Sequence, residues 1–349
     1  MIHFLSAEIS FSMTVCCIFL LRPLALRLGL VDMPDIRKQH QGHIPLIGGI
    51  AMLMGLLAGL LTLPISLQNY RGYIAGCGLL VFIGLFDDFH ELSPKSRFLA
   101  QIMALLLMIF WGKIVITHLG NLIFFKAIHL NHLSSLLVTL IAGLGVINAI
   151  NMVDGVDGLA GTLVFIELSL LFYCATATHH FFSQEMLLLL LMACVLAFLG
   201  FNFPFPCRTQ AQVFMGDAGS MLLGFSLVWF LIELSQCHSQ PIMPVTMLWI
   251  VSVPLFDATA VMLYRLLKGQ PPIFSDRQHG HHVLMALNFS PLQINILFGC
   301  LNVVFGLIGL CAFYYQFNES VMFLSFLILF IIYFFIVNYY RNSLIKKTN

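Results

Sequence analysis

Charge is what this sequence has least of. Only 9% of its 349 residues are Asp, Glu, Lys or Arg, against roughly 25% in soluble domains, which excludes a water-soluble globular enzyme. The formal net charge of +1 implies no polyanionic partner, and no nucleic acid is expected to bind. Nine cysteines are present, but they are scattered through apolar runs without a CxxC pair and read as small hydrophobes, not zinc ligands or a disulfide framework. No P-loop lysine motif occurs, and no GxGxxG follows a strand, so a soluble-type nucleotide fold is absent. The alternating pattern of a membrane barrel is missing too.

What fills the chain is hydrocarbon, at 60% hydrophobic residues. Solid apolar runs recur from end to end, and in lipid such runs must be helices because no water satisfies the backbone. An all-α polytopic membrane protein is therefore expected, a single domain over 1–349. Eleven spans are read at about 4–24, 46–65, 72–86, 98–116, 135–150, 160–176, 186–203, 214–234, 242–265, 294–315 and 320–340. Segment 4–21 lacks a positive n-region and reads as a retained first helix, not a cleaved signal. An odd number of spans puts the termini on opposite faces. Placing the C-terminus inside gathers thirteen Lys and Arg at the cytoplasmic face and leaves only Arg71, Lys113 and Lys126 outside, so the N-terminus is expected to be periplasmic.

Aspartate played no part in that orientation, yet it follows it. Asp32, Asp35, Asp87, Asp88, Asp154, Asp157, Asp217 and Asp276 all fall at cytoplasmic helix ends or loops, and Asp257 lies in span nine toward its inner end. The plain alternative for any one of them is a helix cap or a wet turn. GLFDDFHELSPKSR (84–97) puts adjacent carboxylates at a span boundary, where a divalent cation or nearby Lys and Arg would keep both ionised. NAINMVDGVDGLAG (148–161) adds Asn151, Asp154 and Asp157; three residues apart on a helix ending here, their oxygens would share a face. An EF-hand is excluded by spacing and by the missing terminal Glu. VFMGDAGS (213–220) contributes Asp217 between glycines. These are hard oxygen ligands, suited to Mg²⁺ or alternatively Mn²⁺ bridging carboxylates to substrate phosphates. Basic stretches on the same face agree: IRKQHQGHIPLIGG (36–49) carries Arg37 and Lys38, and SDRQHGHH (275–282) carries Arg277, His279, His281 and His282. No cysteine or carboxylate pattern completes a zinc site around those histidines, and phosphate or pyrophosphate binding is expected.

With these motifs in this order, residues 30–285 resemble the polyprenyl-phosphate N-acetylhexosamine-1-phosphate transferases, glycosyltransferase family 4. RKxHxxxIPxxGG stands at Arg37 to Gly49, DD at Asp87 and Asp88, NxxNMxDGxDGLAG at Asn148 to Gly161, MGDAGS at Met215 to Ser220, and DRQHxHH at Asp276 to His282. RKQHQG and DRQHGHH look like the undecaprenyl-phosphate N-acetylglucosaminyl-1-phosphate transferase branch. The HHH triplet of the muramyl-pentapeptide branch is absent, which argues against phospho-MurNAc-pentapeptide as donor sugar. The resemblance implies transfer of a sugar 1-phosphate from a UDP-sugar to undecaprenyl phosphate at the bacterial inner membrane, yielding UMP, as a first step of O-antigen, common-antigen or other envelope polysaccharide synthesis. N-acetylglucosamine is the expected sugar, with N-acetylgalactosamine and deoxy-N-acetylhexosamines as alternatives. By the same resemblance Asn151 and Asp217 are Mg²⁺ ligands. Of Asp87 and Asp88, one acts on the lipid phosphate and the other helps hold the metal, without the resemblance deciding which. Asp154 and Asp157 shape the pocket, Asn202 matches a nucleotide-binding position, and Arg277, His279, His281 and His282 grip the diphosphate. Membrane lipid surrounds the chain, and a second copy, as a homodimer, is kept open as a partner. The competing class is an ion-coupled transporter, which keeps ionisable groups near the membrane midplane. Only Glu167 and Asp257 lie deep in spans, and no internal repeat is seen.

Overall fold

The structure is a computed structural model, and it describes residues 2–32, 43–123, 126–177, 181–205, 210–237, 242–271 and 278–348. It is helical almost throughout. In chain order come α1 (Ile2–Leu28), β1 (Val31–Asp32), β2 (Ile44–Pro45), α2 (Gly48–Leu60), α3 (Arg71–His90), α4 (Pro94–Phe110), α5 (His132–Val153), α6 (Leu159–Ala177) and α7 (Phe182–Asn202). These are followed by α8 (Gly216–Gln236), α9 (Pro244–Ile250), α10 (Ser252–Leu267), α11 (Gly280–Ala286), α12 (Pro291–Tyr314) and α13 (Glu319–Thr348). The two strands form one short antiparallel ribbon, Val31 opposite Pro45 and Asp32 opposite Ile44.

Each expected span falls on a helix except 242–265, which falls on two, and the helices are not equal. Among the described residues eight are long and apolar enough to cross a membrane, or nine if α9 and α10 are one span. Helix α2 is apolar but has only 13 residues, and α4, with 17, opens on Lys95 and Arg97. The expected continuous span at 242–265 is broken: α9 and α10 meet at Val251 with a bend of 80°. Pro254 sits in the first turn of α10 and has no N–H to return to the carbonyl of Ile250, so the ladder cannot run through.

Helix α8 is the axis of the bundle. Its residues from Ala218 to Ile232 are all buried, and α2, α3 and α5 pack around it. Lipid supplies no hydrophobic force between helices, so close packing needs small residues at the crossings. Gly49 shows how close: a Cβ there would stand 2.3 Å from the backbone nitrogen of Gly219. The IPxxGG stretch thus docks directly on MGDAGS, with Gly48 and Gly49 donating backbone bonds to Phe214 and Met215 at 3.0 and 3.1 Å.

Helix ends then gather at one end of the bundle. The end of α1 meets the start of α2 through Leu46 N–H to the carbonyl of Leu30 (3.2 Å), and the start of α6 meets the end of α7 through Gly158 N–H to Asn202 Oδ1 (2.8 Å). Side-chain bonds at this same end join the end of α3, the start of α4 and the end of α5 to the start of α8. The start of α12 and the last turns of α13 complete it, through Asn295 and Arg341.

Candidate active site

At this end the acidic residues converge. Helix α3 stops at His90, with Glu91 in the left-handed region at φ 47°. The chain reverses there because Leu92 N–H bonds to Asp87 Oδ1 at 2.6 Å. Asp87 is therefore in part the helix cap that the plain alternative described. Its other oxygen, Oδ2, lies 3.3 Å from Arg97 Nη1. The same guanidinium nitrogen donates to Asp217 Oδ2 at 3.1 Å, so one arginine from the first turn of α4 ties two carboxylates together.

Asp217 is held from two further directions. Asn151, in the last turn of α5, donates through Nδ2 to Asp217 Oδ1 and to Ser220 Oγ, the latter at 2.8 Å. Asp217 in turn donates its backbone N–H to Asp88 Oδ1 at 3.0 Å. Gly216 makes that last contact attainable. Its φ is +70°, and a Cβ there would stand 2.5 Å from Asp88 Oδ2. The second oxygen of Asp88 is buried and has no hydrogen-bond partner. Both oxygens of Asp87 are engaged, whereas Asp88 keeps one acceptor aimed into the site without a donor to meet it.

The NMVDGVDG stretch does not continue as helix. Helix α5 ends at Val153, Asp154 caps it, and Gly158 at φ +81° turns the chain into α6. Asp154 and Asp157 thus lie in a turn and not on one helix face with Asn151, a correction to the three-apart reading. Desolvation in this turn pushes the Asp154 carboxyl up to about 7, with the nearby charges of Asp217 and Asp157 adding to it. Asp157 accepts the N–H of Ala211 at 3.0 Å, and its carbonyl accepts from Asn295 at 2.8 Å. Asn202 is buried and serves as a brace, accepting from Gly158 N–H at 2.8 Å and donating to the carbonyl of Val213 at 2.9 Å. These groups hold the loops around the acidic cluster.

The histidine loop lies against the same turn. His281 Nε2 stands 2.5 Å from where a Cβ on Gly155 would be, so only glycine fits between Asp154 and Asp157. His279 and His281 stack with ring centroids 5.5 Å apart and planes 6° apart, and His282 follows at 4.2 Å from His281. Burial, with His282 beside it, pushes the His281 imidazole down to about 3, so it is neutral near pH 7 and carries a single N–H. Neither of its ring nitrogens has a protein partner in hydrogen-bonding geometry. Arg277, Arg37 and Lys38 fall outside the described residues.

Two residues central to this geometry carried no site assignment in the sequence reading. Arg97 counted there only as a positive charge near the membrane, and Ser220 as the last letter of MGDAGS. Asp257 looked like a transporter's buried acid, but it accepts from His279, Gly280 and Tyr333 and belongs to the histidine loop. That leaves Glu167, bonded to Asn302 at 3.2 Å, as the acid deep in the bundle of the two that reading named.

Among the described residues no three histidine, cysteine or carboxylate side chains form a closed metal cage. A hard cation that keeps its waters needs no cage. One or two carboxylates plus substrate phosphates suffice for Mg²⁺. The donor chemistry here fits that requirement: the Asp88 oxygen is unpartnered, and the Arg97 guanidinium already stands in as the cation between Asp87 and Asp217.

A profile of glycosyl transferase family 4 matches residues 70–235, which include the DD pair, the Asn151 turn and Asp217. The chain is 37% identical over 326 residues to the undecaprenyl-phosphate alpha-N-acetylglucosaminyl 1-phosphate transferase of Escherichia coli (strain K12), covering 93% of this chain and 88% of that one. It is similar to the enzymes of the same name from Haemophilus influenzae, 37% identical over 94% of this chain and 92% of that one, and from Yersinia pestis, 36% identical over 93% and 88%.

Proposed function

This chain belongs to glycosyl transferase family 4, and from that membership and the site we infer that it is a multi-pass membrane enzyme transferring a sugar 1-phosphate to undecaprenyl phosphate. The donor is a UDP-sugar, and the sugar, following the names of its relatives, is N-acetylglucosamine. An oxygen of the lipid phosphate attacks the sugar-bearing phosphorus. The bond from that phosphorus to the bridging oxygen breaks, and UMP leaves with the electron pair. The products are undecaprenyl-diphospho-N-acetylglucosamine and UMP.

Phosphoryl transfer needs in-line positioning and charge stabilisation more than covalent help; the acidic cluster would position the reacting groups and hold the cation that would supply the stabilisation. The observation that carries the reading is Asp88, whose Oδ2 is buried beside Asp217 without a donor. It orients the lipid phosphate or receives its last proton. Asp217, fixed by Asn151 and Arg97, faces the donor diphosphate. Asp217 with Asn151 would hold Mg²⁺, with Mn²⁺ as the alternative, and the ion would supply neutralisation of the charge that develops on departing UMP. His279, His281 and His282 contact the diphosphate from the side of the Asp154 turn.

Headgroup depth is the right place for such a site, since the acceptor phosphate lies at the membrane surface and its isoprenoid tail lies among the helices. The alternation of helix ends supports eleven passes, with α2, α4 and the bent α9–α10 pair included. The lysine and arginine distribution supports this end as the cytoplasmic face of the inner membrane, with the N-terminus outside. The deciding experiment incubates purified protein with undecaprenyl phosphate and a panel of UDP-sugars, then identifies the lipid product by mass. UMP release with UDP-N-acetylglucosamine is expected. Flux of a labelled ion through proteoliposomes with no UMP formed from any donor overturns the reading.

A further inference from the structure

Beside the acidic cluster lies a second buried carboxylate that neither the motifs nor the reaction described so far employs. Asp257 is fully buried in α10, yet three donors close on it from other elements. His279 Nδ1 lies 2.9 Å from Oδ2, while the N–H of Gly280 at 2.5 Å and the hydroxyl of Tyr333 at 2.9 Å both donate to Oδ1. His281 Nδ1 is 3.9 Å from Oδ2. Helix α13 closes the other side of the loop. Arg341 donates to the carbonyl of Gln278 and lays its guanidinium over the Tyr264 ring at 4.3 Å. An ion buried this deeply is costly unless all its neighbours are arranged around it, so the arrangement calls for a purpose beyond stability.

We propose that Asp257 is a positioning residue for the donor site, orienting His279 and through it the stacked His281 and His282 toward the UDP-sugar diphosphate. This rests on the assignment of the histidine loop to that diphosphate. A carboxylate at Nδ1 fixes which way the imidazole faces and commits Nδ1–H inward, leaving Nε2 for the ligand. With the carboxylate accepting at Nδ1 and an anionic phosphate accepting at Nε2, the ring bridges the two as a donor. His279 stacks on His281, and His281 abuts Gly155, so the orientation set at Asp257 extends to the turn bearing Asp154 and Asp157. Tyr333 and Gly280 hold the carboxylate itself.

The test is a double-mutant cycle in the full-length enzyme with Asp257→Asn and His279→Ala, measuring KM for UDP-N-acetylglucosamine, KM for undecaprenyl phosphate, kcat and melting temperature. Asparagine keeps an acceptor for Gly280 and Tyr333 but loses the charge facing His279. The expected result is a rise in the donor KM of about tenfold, the loss of one charge-assisted contact. The acceptor KM should stay within about twofold, and the double mutant should be no worse than His279→Ala alone. Tyr333→Phe, which removes one support of the carboxylate from α13 and leaves every loop residue in place, should raise the donor KM less, and only where His279 is present. It decides the question alone if Asp257→Asn does not fold. A silent Asp257→Asn beside an impaired His279→Ala overturns the positioning role and leaves the loop assignment standing. A silent His279→Ala overturns both. Additive losses with a lowered melting temperature assign Asp257 to structure and overturn the proposal.

Discussion

Helix α8 carries a carboxylate near each end, both of them bonded through both oxygens, and what differs is the company they keep. Near its far end Glu233 is saturated: Gln184 Nε2 donates to one oxygen at 2.8 Å and Trp229 Nε1 to the other at 2.9 Å. One turn on, Gln236 Oε1 accepts from the Thr117 and His118 backbone at 2.9 and 3.2 Å, and its amide returns a bond to the His118 carbonyl. At the near end Asp217 and Asp87 share a single guanidinium, Asp88 accepts the backbone N–H of Asp217, and the other oxygen of Asp88 has no donor. Most buried polar groups are paired, and an unpaired carboxylate oxygen beside Asp217, where helix ends meet, leaves an acceptor that a ligand can complete. Helix α8 thus ends at one side in a carboxylate bonded wholly within the fold and at the other in one that stands against Asp88 of α3, whose second oxygen keeps no donor.

The comparison breaks first at Asp217. Asp217→Asn should keep the fold, because the amide can still bond to Asn151, but it removes the charge facing the donor diphosphate. Turnover is expected to fall on the order of 10²-fold or more, as when a transition-state contact is lost. Chelation of divalent cations should do the same to the wild type. Full turnover in excess chelator would show that the cluster works without a metal.

Asp88→Asn against Asp87→Asn sharpens it. Asp88 has the unpartnered oxygen, whereas Asp87 divides its oxygens between the Leu92 N–H and Arg97. The loss of kcat should therefore be larger for Asp88→Asn, and both variants should elute from detergent size exclusion like the wild type. The reverse order would make the helix-capping aspartate the chemical one.

A smaller effect lies in pH. Asp154 is raised in the fold to about 7, above its ordinary value of 3.8, so its contribution to stability is present below that ordinary value and is lost as pH rises toward 7. The ligand-free enzyme should melt lower at pH 7 than at pH 5, and Asp154→Asn should flatten that slope. An unchanged slope would mean that the turn does not carry the strain of the acidic cluster.

Much of this was legible beforehand, for reasons that differ by element. Apolar runs mark helices because lipid leaves the backbone no other partner, and Asp87, Asp88, Asn151 and Asp217 could be grouped because span parity sends them to one end. The break at Val251 was hidden, since Pro254 in an apolar run can kink a helix or merely begin one. The bracing roles of Asn202 and Asp157 depend on Gly158, Val213 and Ala211, contacts made only when α7 returns beside α6. Arg97 was read as surface charge because SPKSR looks like a wet loop, and only the reversal at Glu91 carries it back over Asp87. Asp257 could not be joined to His279 across 22 residues without the fold.

The smallest expected effect on catalysis belongs to the saturated end. Glu233→Gln preserves the shape of the side chain but replaces one acceptor oxygen with an amide that cannot accept, so either Trp229 or Gln184 is left facing a donor. A buried donor without a partner costs about 1–3 kcal/mol, and the melting temperature should drop accordingly. Turnover of the folded fraction should stay within about twofold, because Asp217 is four turns away along α8 and none of its contacts reach Glu233. Asp217→Asn should give the opposite pattern, with turnover lost and a smaller fall in melting, since the acceptor lost to Asn151 or Arg97 is offset by removing a like charge beside Asp87 and Asp88. Measuring both variants for melting and UMP release in one preparation tests the contrast directly. If Glu233→Gln abolishes turnover while the protein stays folded, the two ends of α8 are coupled and the division between a structural end and a chemical end fails.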